Sequence, residues 1–172
     1  MDKFIVRGPS KLKGEIAISG SKNAALPILA STILFDKEVI IKNLPRVKDI
    51  DTMINLLKSL GSEIKFSKDK KIVKITKKKK YKIFASYSLV RKMRAGILVL
   101  GALVAKHQKS ITSLPGGCLI GARPVNYHLN ALKKLGMNYE IKKGYIHANT
   151  KGKLKGAKIR FSKISVGATE NT

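Results

Sequence analysis

The one thiol of the chain sits in the segment Ser113-Leu114-Pro115-Gly116-Gly117-Cys118-Leu119-Ile120-Gly121-Ala122-Arg123-Pro124. Three glycines and two prolines around Cys118 describe an exposed loop with free backbone amides, not a strand or a core helix. A cysteine reacts as the thiolate, which a neighbouring Arg or a helix N-terminus stabilises. Arg123 and a helix starting at Pro124 supply both. A thiol kept protonated could instead serve as a general acid. Local composition leaves a buried bystander cysteine open as the third reading.

Two further groupings carry charge to places where chemistry could use it. Ser19-Gly20-Ser21-Lys22-Asn23-Ala24-Ala25 reads as a strand end, a glycine turn and a helix start, with Lys22 and Asn23 at the tip. Helix N-termini attract anions and Lys22 adds a point charge, but the spacing is not that of a Walker loop and a surface Lys at a helix start is the more common case. Arg91-Lys92-Met93-Arg94 opens an apolar stretch, and as one helix it puts Arg91 and Arg94 on a shared face near the N-terminus. The dipole disfavours cations there, so something anionic could compensate; a carboxylate from the rest of a longer protein and simple solvent exposure are the plainer readings. The histidines at 107, 128 and 147 lack ligand spacing and cysteine companions, so they read as surface or packing residues and no metal is expected. Asp49 and Asp51 read as an N-cap for the helix that follows.

The elements that must position these residues occur twice. A helix over residues 22–34 leads to a short strand at 39–41 and a Leu44-Pro45 turn. Next comes an amphipathic helix over 50–60, stopped by Gly61, and a hairpin of 63–66 with 72–75. The second copy has an apolar helix over 89–105, a strand at 109–112, Leu114-Pro115, a helix over 124–135 stopped by Gly136, and a hairpin of 138–141 with 145–148 turning at Lys143-Gly144. The two Leu-Pro pairs are 70 residues apart and the Leu-Gly stops 75 apart. The unit is therefore β-α-β-α-β-β, an α/β (α+β) class. A third copy begins: residues 154–162 echo the strand at 12–19, and Ser165-Val166-Gly167-Ala168-Thr169-Glu170-Asn171 reads as a helix start. A chain ending there is expected to be a fragment of a longer protein.

Charge and length narrow the class. Of 172 residues 36 are Lys or Arg and 10 are Asp or Glu, a formal net charge of +26 that invites a nucleic-acid reading. Yet 30 of the basic residues are Lys, spread over helices, turns and hairpins, and aromatics make up 6%, which does not describe a base-stacking or Arg-fork surface. The run at 77–80 reads as a solvated loop between the copies, with a polyanion-binding patch as the minority reading. The longest apolar stretch, 95–105, is far shorter than the roughly 20 residues that span a bilayer. With no signal-like N-terminus and a single cysteine, the expectation is a soluble cytoplasmic protein without disulfides.

Taken in order, Ser19-Gly20-Ser21-Lys22-Asn23-Ala24-Ala25-Leu26-Pro27-Ile28-Leu29, Pro115-Gly116-Gly117-Cys118-Leu119-Ile120-Gly121-Ala122-Arg123-Pro124-Val125 and Ser165-Val166-Gly167-Ala168-Thr169-Glu170-Asn171 resemble the UDP-N-acetylglucosamine 1-carboxyvinyltransferase family of enolpyruvyl transferases. The resemblance spans the whole chain. It implies a two-lobed protein, each lobe an inside-out α/β barrel of three repeats, of which this chain is an incomplete part. Residues 1–20 would be a strand segment of the other lobe. Residues 21–172 would hold repeat one (about 21–76), repeat two (about 82–149) and a third begun at about 154.

The implied reaction moves the enolpyruvyl group of phosphoenolpyruvate to the 3-hydroxyl of UDP-N-acetylglucosamine and releases phosphate, the first committed step of peptidoglycan synthesis. It requires no cofactor or metal. By the same resemblance Lys22 and Asn23 contact phosphoenolpyruvate. Cys118 donates the proton, can form a covalent adduct, and is the target of the epoxide fosfomycin. Arg94 and Arg123 hold the anionic substrates. Arg123, Pro124, Val125, Asn126 and Tyr127, with Lys163, Ile164, Ser165 and Val166, line the nucleotide-sugar site. The base for the sugar hydroxyl is an Asp of the family's second half, beyond these residues. Asn126 stands where the family usually has Asp and Tyr127 where it has Leu or Ile, so nucleotide contacts of altered strength are expected. The alternatives are the related transferase acting on shikimate 3-phosphate, against which the Cys118 loop argues, and a non-enzymatic basic nucleic-acid-binding module.

Overall fold

The computed structural model describes residues 3–116 and 125–172. Helix α1 (Lys22–Ser31) begins where Ser21, in extended conformation, turns its hydroxyl to the Ala24 N–H at 3.4 Å. It tightens into a 3-10 turn, Thr32–Leu34. Helix α2 (Lys48–Leu60) buries Ile50, Met53, Ile54, Leu57 and Leu60, the anticipated face, together with Leu56, and Gly61 ends it in the left-handed region at φ 115°. The acids do not cap it. The N-cap is Val47, with no side-chain bond, and Asp49 and Asp51 lie in the first turn, where the helix dipole favours them.

Strands β1 (Val39–Ile41), β2 (Ser62–Phe66) and β3 (Val73–Lys77) form one antiparallel sheet in the order β1-β3-β2, with Val39 and Ile64 both opposite Ile75. A second sheet holds β4 (Phe84–Ala85), β5 (Lys109–Ser113), β6 (Asn138–Lys142) and β7 (Tyr145–Asn149) in the order β4-β5-β7-β6. Its β5-β7-β6 portion repeats the antiparallel order of the first sheet, and β4 joins β5 in parallel. The repeat read from sequence is thus present in space. At the β6–β7 turn Lys143 and Gly144 both have positive φ, the backbone of a tight two-residue hairpin.

The second copy departs from expectation in its first helix. Residues 89–105 are not one helix but the end of α3 (Tyr87–Val90), a 3-10 turn Arg94–Ile97, and α4 (Leu98–His107), with Met93 extended between them at φ −146° and ψ 138°. Packing overrides the continuous apolar pattern. Val90 and Met93 are buried, and Gly96 folds the turn back until a Cβ there would lie 3.1 Å from the Val90 Cα. Arg91 and Arg94 consequently do not share a helical face.

Helix α4 is apolar on all sides because it serves two cores. Leu98, Val99 and Leu103 join the cluster of α1, α2 and the first sheet, whereas Leu100 and Val104 join that of the second sheet and α5 (Asn126–Lys134). The chain ends in α6 (Val166–Glu170), capped by the Ser165 hydroxyl 3.3 Å from the Ala168 N–H. The strands expected at 12–19 and 154–162 do not form; neither segment enters a sheet, and Leu12, Ile16 and Ile18 are exposed. A strand is stable only with a partner for its backbone groups, and among the described residues none pairs with these. The lysine run is not uniformly solvated either. Lys78, Lys79 and Lys80 are exposed, but Lys77 ends β3 with its ammonium 3.6 Å from Asp36 and 5.5 Å from the Tyr81 ring centre.

Candidate active site

A cleft of about 330 Å³ opens between the start of α1, the Arg94–Ile97 turn, α5 and α6. Lys22 and Asn23 enter it from the first turn of α1, Arg94 from the first position of its turn, and Val166 from the first position of α6. Four residues singled out from sequence therefore meet in one place. The cap at Ser21 starts α1 so that Lys22 sits at the mouth. The break at Met93, unseen in the sequence, swings Arg94 away from Arg91 and into the cleft.

Two cations and a side-chain amide facing one hollow at a helix N-terminus suit a small anion bearing carboxylate or phosphate. Lys22 already has a partner: its ammonium lies 2.9 Å from the Asp49 carboxylate, from the first turn of α2. Both side chains are partly open to solvent, so an arriving anion can compete for the ammonium. Glu170 also lines the cleft, and burial raises its carboxyl above the ordinary value.

Behind Arg94 stands His128, from α5, with its Nδ1 3.1 Å from the side-chain nitrogen of Asn171. Burial, with the Arg94 charge added, pushes the imidazole down to about 4. It is neutral throughout the physiological range. This confirms a packing place for His128 while adding the cleft, which sequence reading missed. The signal was present: His128 lies three residues after Val125 on the face that buries Leu129 and Leu132. Asp49, read as a cap, was missed for the same kind of reason, since its partner Lys22 is 27 residues away.

The residues assigned to a nucleotide sugar divide. Asn126 and Tyr127 line a separate hollow of about 530 Å³ with Phe161 and Ser162, the Asn126 Oδ1 accepting the Tyr127 N–H at 3.0 Å. Val125 packs its side chain against the second core. Lys163 and Ile164 are exposed, and Ser165 caps α6. Cys118, Arg123 and Pro124 lie outside the described residues. The described edge of that loop is Gly116, packed so closely on α3's end that a Cβ would stand 2.6 Å from the Arg91 carbonyl oxygen. Arg91 itself lies over the Tyr87 ring, 5.3 Å from its centre. Among the described residues no group of three His, Cys, Asp or Glu is placed to hold a metal, and no helix is long and apolar enough to cross a membrane.

The family described as EPSP synthase (3-phosphoshikimate 1-carboxyvinyltransferase) matches residues 6–172. Proteins named UDP-N-acetylglucosamine 1-carboxyvinyltransferase from Pelagibacter ubique and Endomicrobium trichonymphae are 62% and 53% identical over 99% of the chain. The chain spans about 40% of the length of each. Among solved structures, the enolpyruvyl transferase NikO from Streptomyces tendae superposes with a TM-score of 0.70 at 16% identity, over 86% of this chain and 32% of its own. An EPSP synthase from Acinetobacter baumannii gives 0.65 at 14%, over 92% and 36%. At those identities the likeness is one of fold.

Proposed function

From a chain that belongs to the EPSP synthase (3-phosphoshikimate 1-carboxyvinyltransferase) family, we infer part of an enolpyruvyl transferase that joins phosphoenolpyruvate to the 3-hydroxyl of UDP-N-acetylglucosamine in peptidoglycan synthesis. The observation that carries the reading is the meeting of Lys22, Asn23 and Arg94 in one cleft beside Val166. The names of the relatives support this acceptor over shikimate 3-phosphate. In this reading residues 21–172 contribute to one inside-out barrel lobe, and residues 1–20 supply a strand to another.

The chemistry follows from what an enol ether needs. Lys22 and Arg94 neutralise the phosphate and carboxylate of phosphoenolpyruvate, and Asn23 donates to their oxygens. Cys118 delivers a proton to the methylene carbon, which leaves the adjoining carbon electron-poor. The sugar hydroxyl attacks that carbon as its own proton goes to a carboxylate. Loss of a methyl proton and of phosphate restores the double bond. Arg123 to the phosphates, and Pro124, Val125, Asn126, Tyr127, Lys163, Ile164, Ser165 and Val166 around the nucleotide sugar, complete the assignment.

The test joins this chain to the part of the Pelagibacter ubique relative that it does not match. Phosphate release from phosphoenolpyruvate is then measured with each acceptor. UDP-N-acetylglucosamine is expected to support turnover and shikimate 3-phosphate is not. The reverse would move the assignment to the other acceptor, and release with neither would reject enolpyruvyl transfer.

A further inference from the structure

Asn171 closes α6 and is buried, yet the reaction outlined above gives it no part. Its amide is fully engaged. The Oδ1 accepts the Gly101 N–H at 3.1 Å, while Nδ2 lies 3.3 Å from the Ile97 carbonyl oxygen and 3.1 Å from His128 Nδ1. The first contact decides the others. A backbone N–H needs an oxygen, so the amide cannot be flipped, and its NH2 donates to Ile97 and to His128. His128 Nδ1 must then accept, which leaves the single proton of a neutral imidazole on Nε2.

The surroundings fit this arrangement. Ile97, which leads into α4, and Gly101 in its first turn stand at i and i+4, so one side chain spans the start of the helix shared by both cores. Gly101 makes the room: a Cβ there would lie 2.4 Å from the Asn171 carbonyl oxygen and 2.5 Å from Oδ1. The Nε2 edge of His128 faces Gly167 of α6, 3.5 Å from where a Cβ would stand. The charged groups around the same cleft are Arg94, Lys22, Asp49 and Glu170, from four different elements. An imidazolium here would set a second cation beside Arg94 and turn its Nδ1–H against an NH2 group.

We propose that Asn171 is a positioning residue for nucleotide-sugar binding: it ties α6, with the Ser165 and Val166 that lead into it, to the Arg94 wall, and holds His128 as the Nε2–H tautomer. The proposal rests on the reading above for residues 163–166. Asn171 touches no reacting atom; it acts through His128 and the first turn of α4.

The test uses the joined protein described above, as parent, N171L, N171D and G101A. Histidine 15N chemical shifts of the parent are expected to show His128 neutral and protonated on Nε2 at about pH 6. In N171D the carboxylate is expected to draw a proton to Nδ1 and make the ring an imidazolium at that pH. In N171L the KM for UDP-N-acetylglucosamine is expected to rise about tenfold with kcat within about threefold. G101A, which keeps Asn171 but fills its space, is expected to raise the same KM and serves should N171L not fold. An Nδ1–H tautomer in the parent, or an unchanged KM in a folded N171L or G101A, would overturn the proposal. A parent inactive with UDP-N-acetylglucosamine would reject the functional reading and with it the substrate part of this one. The tautomer measurement needs no activity and judges the Asn171–His128 tie separately.

Discussion

Lys22 and Arg94 come from different repeats, and neither is informative alone, since a Lys at a helix start and an Arg before an apolar run are common. Their value lies in sharing a cleft whose buried neighbour, His128, stays uncharged. That neighbour has a measurable consequence. Its folded pKa of about 4 is below the ordinary 6.5, so the stabilisation is fully present above pH 6.5 and is lost as pH falls towards 4. The loss amounts to about 3 kcal/mol at most. Urea unfolding of the chain at pH 7 and pH 4.5 is expected to show a steeper decline than in H128Q, and equal slopes would refute the assignment. Cys118 is tested differently. Treating the joined protein with fosfomycin is expected to alkylate it, seen by peptide mass spectrometry, and an unmodified Cys118 would remove it from the chemistry. At this scale the sequence singled out Lys22, Asn23 and Arg94, which the structure brings to one cleft. It concealed Asp49, His128 and Asn171, whose partners are 27 to 74 residues distant along the chain.

Elements were legible where their signals are local and opaque where they depend on distant packing. Gly61 and Gly136 end their helices as read, and the Lys143-Gly144 turn sets the second hairpin. The break at Met93 could not be read, because an unbroken apolar helix satisfies the same hydrophobic pattern; what decides is Val90 packing under Gly96. The segments at 12–19 and 154–162, read as strands, have no ladder to join among the described residues. Helix α4 carries the largest consequence of this arrangement, since it is the wall common to both cores. Leu103 is fully buried in the first of them, so L103A is expected to cost about 2–5 kcal/mol by urea unfolding. Leu34, 41% exposed, is expected to change by less than about 1 kcal/mol when replaced by Ala. Similar losses at the two positions would contradict a core organised around α4.

For the whole molecule, the net charge of +26 turns out to say less than the few cations that face the cleft. Lys78, Lys79 and Lys80 face solvent, and Lys77 and Lys106 meet at Asp36, where the Lys106 hydrogen bond holds the carboxyl below its usual range. Turnover makes a more specific demand. Attack by the sugar hydroxyl needs a carboxylate to take its proton, and the described acids lining the cleft are Asp49 and Glu170. Asp49 is bound to Lys22, which the proposed chemistry reserves for phosphoenolpyruvate, and burial raises the Glu170 carboxyl. In the proposed reading the base lies in the part of the relatives that this chain does not match. The 172-residue chain by itself is therefore expected to release no phosphate above background from phosphoenolpyruvate and UDP-N-acetylglucosamine, whereas the joined protein turns over. Steady release from the chain alone would overturn this, and loss of that release in E170Q would then identify the carboxylate inside the cleft that had been doing the work.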